Sequence, residues 1–108
     1  MATSAARFAH RSEADFAKLF DFFKVAWRYE PHSFPIVWDG DGNVVESFTP
    51  DFYLPEFDLY VEVTTAAARF RTRKNRKMRL LRASHPQIKV KLFAKGEVER
   101  VLGKFAAA

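Results

Sequence analysis

The segment Leu59–Val63 constrains the fold most, because it is a short apolar run with one carboxylate inside it. Its Leu, Tyr and Val side chains favour a β-strand. Since the run lacks the usual alternation of apolar and polar residues, it predicts a strand that is covered on both faces. Glu62 interrupts the run, and a buried carboxylate costs free energy unless a partner compensates for its charge. The sequence therefore predicts a buried strand whose glutamate needs such a partner.

The composition is typical of one soluble globular domain. The 108 residues are 48% hydrophobic and 29% charged, which suits a single packed core. Cysteine is absent, and this excludes disulfides, thiolate catalysis and cysteine-based zinc sites. No apolar run approaches the roughly 18 residues of a membrane span, so we expect a cytoplasmic protein with no membrane partner. We interpret residues 1–11 as a flexible lead-in and residues 12–105 as the folded domain.

Apolar periodicity and turn signals predict an α/β fold, namely a single domain with a mixed four-stranded sheet flanked by helices and an αβββαβ core. The sequence "DGDGN" at 39–43 indicates a hairpin turn. The last strand follows a helical crossover and should therefore lie parallel to its neighbour. The predicted elements are a helix over 12–26, strand arms over 27–38 and 44–54, a strand over 58–63, a basic helix ending near 84, a strand over 88–93 and a helix over 96–105.

The first predicted helix carries an acidic residue on its inward face. Ser12 and Asp15 form a pattern typical of a capping box at the helix start. Glu13 lies three and seven residues before Phe16 and Phe20, which belong to the apolar stripe of this helix. An acid is also favoured in the first turn by the helix dipole. We therefore expect Glu13 to face the interior.

The second predicted helix is strongly basic. Residues 69–82, "RFRTRKNRKMRLLR", hold eight Lys or Arg residues and no acid, whereas the other 94 residues hold ten basic and 13 acidic residues. This asymmetry favours a polyanionic partner, most simply nucleic acid, over a merely solvated helix. The residues expected to contact the phosphate backbone are Arg69, Arg71, Arg73, Lys74, Arg76, Lys77 and Arg79.

Asp51 and Glu62 form the candidate catalytic pair. They lie on consecutive predicted strands joined by a short turn, so strand pairing should bring them together at one end of the sheet. Two neighbouring carboxylates repel each other, and a hard divalent cation such as Mg²⁺ or Mn²⁺ relieves that repulsion. Such an ion can also activate water for attack on a phosphate. The pair therefore predicts a magnesium or manganese site.

The segments "TPDFYL" and "DLYVEVT", with Glu62 eleven residues after Asp51, resemble the PD-(D/E)XK nuclease superfamily. The resemblance implies a restriction-endonuclease-like fold, a nuclease-like domain over residues 12–105 and hydrolysis of DNA phosphodiester bonds. It also implies that Asp51 and Glu62 bind the metal together with the Val63 carbonyl. Glu13 would be an acid that binds a second metal or positions water.

The sequence departs from this pattern at one position, because Thr64 stands where the family has a lysine. A threonine hydroxyl can orient water but cannot offset negative charge. Lys74 and Lys77 share a helix face with Met78 and Leu81, so either lysine could replace the missing one, and we slightly prefer Lys77. The alternative is that both lysines extend outward from the rim of the apolar face.

Three hypotheses about function remain open at this point. The first is a metal-dependent DNA nuclease, acting as a homodimer or with a fused or associated targeting protein. The second is a catalytically inactive nucleic-acid-binding module with the same fold, and the third is a domain that binds an acidic protein. Glu30 and His32 could join the site from the first strand arm, but we interpret them as surface residues or as residues satisfied by other partners.

Overall fold

The computed structural model describes residue 8, residues 11–64 and residues 68–107. The predicted lead-in over 1–11 therefore lies outside the described residues apart from positions 8 and 11. The side chains of Ser12, Arg69 and Arg71 are also outside the described part, so the capping box and two of the predicted phosphate contacts stay predictions. The helices and strands are α1 (Arg11–Phe22), β1 (Arg28–Tyr29), β2 (Phe34–Trp38), β3 (Val44–Phe48), β4 (Phe52–Leu54), β5 (Leu59–Thr64), α2 (Ala68–Ser84), β6 (Val90–Ala94) and α3 (Lys95–Ala107).

A mixed four-stranded sheet in the order β1-β4-β5-β6 forms the centre of the domain, as predicted. β1, β4 and β5 pair antiparallel, and β5 pairs parallel with β6. The parallel pair follows from the crossover through α2, since a helix is long enough to carry the chain back to the start of the sheet. β5 therefore lies between two neighbours, which is the position that its largely apolar run predicts.

The predicted strand arms over 27–38 and 44–54 are each split in two. β2 and β3 form a separate two-stranded sheet, while β1 and β4 join the main sheet. The split follows from the backbone, because Glu30 adopts a positive φ of 45° and Pro31 has no N–H to donate to a ladder. Pro50 interrupts the second arm in the same way, and the predicted hairpin turn joins β2 to β3.

α1 ends at Phe22, four residues before its predicted end at Ala26. Lys24 adopts a left-handed conformation with φ 58°. The Val25 N–H donates to the Phe20 carbonyl at 2.8 Å, and the Lys24 N–H donates to the Asp21 carbonyl at 3.0 Å. These two bonds form a Schellman motif, which satisfies the last carbonyls of the helix. Apolar spacing continues past this point, so the sequence pattern alone overestimates the length of the helix.

The two faces of the main sheet are covered by different elements. On one face, α1 and α3 pack against the apolar side chains of β4 and β5, and Phe16, Phe20 and Phe52 are almost completely buried there. On the other face, α2 and the β2–β3 hairpin surround a smaller apolar cluster. Burying each of these large side chains contributes about 2–3 kcal/mol relative to leaving it exposed. This two-sided cover makes the polar side chains of β5 buried as well.

Candidate functional site

Asp51 and Glu62 lie side by side, which confirms their predicted proximity. Asp51 directly precedes β4, and the antiparallel register pairs Phe52 with Val61, so the next positions along the ladder are Asp51 and Glu62. The Asp51 N–H donates to Glu62 Oε1 at 3.1 Å, and the Val63 N–H donates to Asp51 Oδ2 at 3.0 Å. The two residues are only 6% and 7% exposed. Each carboxylate is thus fixed by a backbone donor and removed from water.

Burial dominates the electrostatics of this pair. Burial, together with the nearby charges of Glu62 and Glu13, raises the pKa of Asp51 to about 8, although the Val63 N–H and the Lys74 charge lower it. Burial also raises the pKa of Glu62, although Lys74 lowers it. At neutral pH the Asp51–Glu62 pair therefore retains a proton. A divalent cation would take the place of that proton, because it supplies the positive charge that the pair lacks.

Glu13 and Glu30 extend the acidic site from Asp51. Glu13, in the first turn of α1, is 7% exposed and accepts a hydrogen bond from the Tyr29 hydroxyl at 2.5 Å. The Glu30 N–H donates to the Asp51 carbonyl at 2.8 Å, which anchors an otherwise exposed residue beside the site. One carboxylate oxygen from each of Glu13, Glu30 and Asp51 lies within 4.8 Å of the other two. Three acidic residues could therefore hold a metal ion here.

The interpretation of Glu30 as a surface residue missed its place in this cluster. Glu30 is exposed, but its positive φ turns the chain out of β1 and toward Asp51. A sequence offers little warning of such a turn, since glutamate rarely adopts it. An acid directly before Pro31, at the end of a strand arm, was the available signal. His32 does not join the cluster, because its Nδ1 lies 2.7 Å from the Tyr60 hydroxyl.

The donor set fits a hard cation. All three ligands of the cluster are carboxylates, and oxygen ligands suit Mg²⁺ or Mn²⁺ better than softer metals. The cluster differs from the predicted metal set of Asp51, Glu62 and the Val63 carbonyl, because Glu62 is not among the three grouped acids. Asp51 is the residue that the predicted and the observed sets share.

Lys74 is the lysine of α2 that lies next to Glu62, as expected for a residue that replaces the lysine missing at Thr64. Its Nζ donates to the Val63 carbonyl at 2.5 Å and lies 3.3 Å from Glu62 Oε2. Lys77, which the sequence slightly favours, makes a different contact, because its ammonium lies 6.0 Å from the centre of the Phe48 ring; its role in catalysis stays a prediction. Helical spacing could not separate the two lysines, since both flank the apolar stripe.

The remaining predicted site residues have different surroundings. Thr64, two residues after Glu62 on β5, is 3% exposed. Arg76 donates two hydrogen bonds to Glu46, at 3.0 and 3.2 Å, and so connects α2 to the hairpin instead of facing solvent freely. Arg73 and Arg79 are exposed on α2. Arg73, Lys74 and Lys77 line a cleft together with Glu62, so basic side chains lie next to one of the two paired acids.

Comparisons with protein-family models, with curated proteins and with solved structures find no match to this chain. What the molecule can do is therefore inferred from the geometry of its own residues. Within the described ranges, none of the helices has the length and apolarity needed to cross a bilayer.

Proposed function

We propose that this chain is a metal-dependent nuclease of the PD-(D/E)XK superfamily, which hydrolyses phosphodiester bonds in DNA. The observation that carries the proposal is the buried Asp51–Glu62 pair with the Lys74 ammonium 3.3 Å from Glu62. Two carboxylates and a lysine are the groups that the resemblance requires, and here α2 supplies the lysine that β5 lacks. The restriction-endonuclease-like fold is part of the same proposal.

The topology around the pair supports this assignment. β5 lies between antiparallel β4 and parallel β6, and the acids lie at the end of the β4–β5 pair where the basic helix α2 begins. α1 supplies the inward-facing Glu13, as the resemblance implies for an early acid in the first helix. The β2–β3 hairpin consists of parts of the two predicted strand arms, and it is separate from the main sheet.

The side chains of the site suit hydrolysis of a phosphodiester. Glu13, Glu30 and Asp51 would hold Mg²⁺ or Mn²⁺, which when bound lowers the pKa of water and offsets charge on phosphate oxygens. The metal ion would also replace the proton that the buried Asp51–Glu62 pair retains at neutral pH, so the pair would be ionised when the attacking water loses its proton. Lys74 can donate hydrogen bonds to a phosphate oxygen and stabilise the charge that develops there.

The charge of α2 supports DNA as the substrate. Lys77, Arg73 and Arg79 are basic side chains on the same helix as Lys74, and cationic side chains bind the phosphate backbone with release of counterions. Such contacts fix the position of DNA but do not read its sequence. A homodimer or a fused or associated targeting protein would supply specificity in this proposal.

The test is cleavage of supercoiled, linear, single-stranded and branched DNA with Mg²⁺ or Mn²⁺, and with EDTA as the metal-free control. We expect metal-dependent cleavage that falls at least about 100-fold in Glu62→Gln. Glu99→Gln is the matched control, because it removes an exposed acid on α3, and it should cut like the wild type. A folded wild-type protein that cuts none of these substrates would overturn the proposal.

A nucleic-acid-binding module without catalytic activity is the second candidate. Thr64 at the lysine position of the motif favours it, as does the use of the Val63 carbonyl by Lys74. The same assay separates the two candidates, because the module predicts salt-sensitive binding without cleavage. The third candidate is a domain that binds an acidic protein. DNA would compete with such a partner only if both bound to α2.

A further inference from the structure

The Lys74 ammonium is a cation that already sits on two oxygens of the site. It donates to the Val63 carbonyl and lies 3.3 Å from Glu62 Oε2. The predicted metal set includes these same two oxygens beside Asp51, which is the ligand that this set shares with the Glu13–Glu30–Asp51 cluster. Lys74 therefore occupies part of the space that a divalent cation would fill. It also neutralises part of the negative charge that would attract such a cation.

Two cations cannot share these oxygens at low cost. Their repulsion is strong at separations of a few ångströms in a site with little water, and Glu62 is only 7% exposed. Lys74 must therefore leave before the Val63 and Glu62 oxygens can accept a divalent ion. Its side chain is 30% exposed, so it has room to move toward solvent.

The cleft beside Lys74 offers an anion as its new partner. Arg73 and Lys77 line this cleft together with Lys74 and Glu62. Three basic side chains around one opening favour a phosphate group, and charge-assisted hydrogen bonds to phosphate are strong. A phosphate bound there lies where Lys74 can reach it from its present position.

We propose that Lys74 is an internal cation that blocks the Glu62 and Val63 oxygens until a substrate phosphate draws it away. This inference rests on the proposed function and adds its regulation, since metal binding and phosphate binding become coupled through one side chain. Coupling between two sites is reciprocal, so each ligand raises the affinity for the other by the same factor. We expect a factor of about 10.

The test is calorimetric titration of the full chain with Mn²⁺, with and without thymidine 5′-monophosphate, which has no diester bond to cut. In the wild type, the nucleotide should raise the affinity for Mn²⁺ about tenfold after correction for its own Mn²⁺ binding. Lys74→Met should bind Mn²⁺ about tenfold more tightly without the nucleotide, and the nucleotide should add little. Lys91→Met is the matched control, because it removes the same charge from an exposed position on β6 that does not line the cleft, and it should behave like the wild type.

Three results would overturn the inference. In the first, Lys74→Met and Lys91→Met raise Mn²⁺ affinity equally, which indicates a general effect of charge. In the second, the nucleotide still raises affinity tenfold in Lys74→Met, and in the third, no variant takes up Mn²⁺. Cleavage is measured separately, so DNA cutting with uncoupled Mn²⁺ binding would refute only the inference. Coupled binding without any cutting would refute only the proposed nuclease.

Discussion

Val61 and Val63 extend from one face of β5 into the apolar core under α1 and α3, whereas Glu62 and Thr64 extend from the other face toward α2. All four residues are at most 7% exposed. The first face is filled by phenylalanines that contact one another, with Phe20 and Phe52 at 5.2 Å between ring centres. The second face combines apolar packing with Glu62 and the neighbouring Asp51 and Lys74. We call the first face the aromatic face and the second the acidic face.

The two faces have different roles, because one stabilises the fold and the other holds the charged groups of the candidate site. Aromatic and aliphatic packing stabilises the fold through burial of apolar area. Buried carboxylates do the opposite, because desolvation opposes their charged form. The acidic face is therefore tolerated only because the aromatic face is well packed, and substitutions on the two faces should have different effects.

Breaking the aromatic face should give the largest effect on stability. Phe20→Ala removes a side chain that is 2% exposed, and it should lower the free energy of unfolding by about 3–5 kcal/mol. Phe22→Ala is the control on the same helix, since Phe22 is 76% exposed, and it should change stability by less than about 0.5 kcal/mol. Urea unfolding followed by circular dichroism measures both. Equal losses would contradict the assignment of the stabilising core to this face.

The acidic face should make stability depend on pH. The pKa of Asp51 is about 8 in the folded chain and 3.8 as its ordinary value, so between these values the folded state binds the extra proton. The free energy of unfolding should therefore fall as pH rises from about 4 to about 8, by at most about 1.4 kcal/mol per pH unit. Asp51→Asn should reduce this slope, because an amide does not ionise.

Urea unfolding at several pH values in EDTA tests this dependence. Glu99→Gln, which changes an exposed acid, should keep the wild-type slope. A wild-type protein whose stability stays constant or rises across this range would show that Asp51 is ionised when buried. Added Mg²⁺ should recover stability most at the alkaline end, where no proton occupies the pair.

Lys74 and Lys77 sharpen the comparison within the acidic face. Lys74→Met removes the ammonium next to Glu62, and we expect cleavage to slow by about 100-fold with a much smaller loss of DNA affinity. Lys77→Met should affect affinity and cleavage equally and weakly, since its ammonium lies on the Phe48 side of α2. Cleavage rates at saturating DNA, together with binding at several DNA concentrations, distinguish the two roles. A greater catalytic loss in Lys77→Met would reverse the assignment.

Arg76 and Arg79 should show the smallest effects. Arg79→Gln removes an exposed charge from α2 and should reduce the slope of log affinity against log salt by about one. Arg76→Gln should change this slope less, because Arg76 already pairs with Glu46. Binding of a short duplex measured by fluorescence anisotropy at several salt concentrations provides both slopes. Equal changes would mean that DNA displaces Glu46 from Arg76.

The sequence predicts the main sheet and its covered strand because both depend on local patterns. The apolar run around Glu62 identifies β5, and the helical crossover through α2 predicts its parallel pairing with β6. The spacing between Asp51 and Glu62 also predicts their contact, since a short turn leaves few ways to pair two strands. These features need no knowledge of distant parts of the chain.

The remaining features depend on tertiary geometry. The position of Glu30 follows from a left-handed turn that its residue type disfavours. The choice of Lys74 over Lys77 depends on how α2 lies on the sheet. Helical periodicity does not fix the rotation of the helix about its axis closely enough to separate the two lysines. The separation of the β2–β3 hairpin from the main sheet depends on which partner each strand finds, although Pro31 indicates a break in the first arm.

The central claim is that a divalent cation binds beside Asp51 on the acidic face, and Mn²⁺-induced broadening of backbone amide signals in NMR spectra tests it most directly. The amides of Asp51, Glu62 and Val63 should broaden first and most strongly at low Mn²⁺, before those of Val98 and Leu102, and Asp51→Asn should abolish this preference. Broadening confined to the acidic hairpin turn at Asp39 and Asp41, with the Asp51 signals unchanged, would contradict the account.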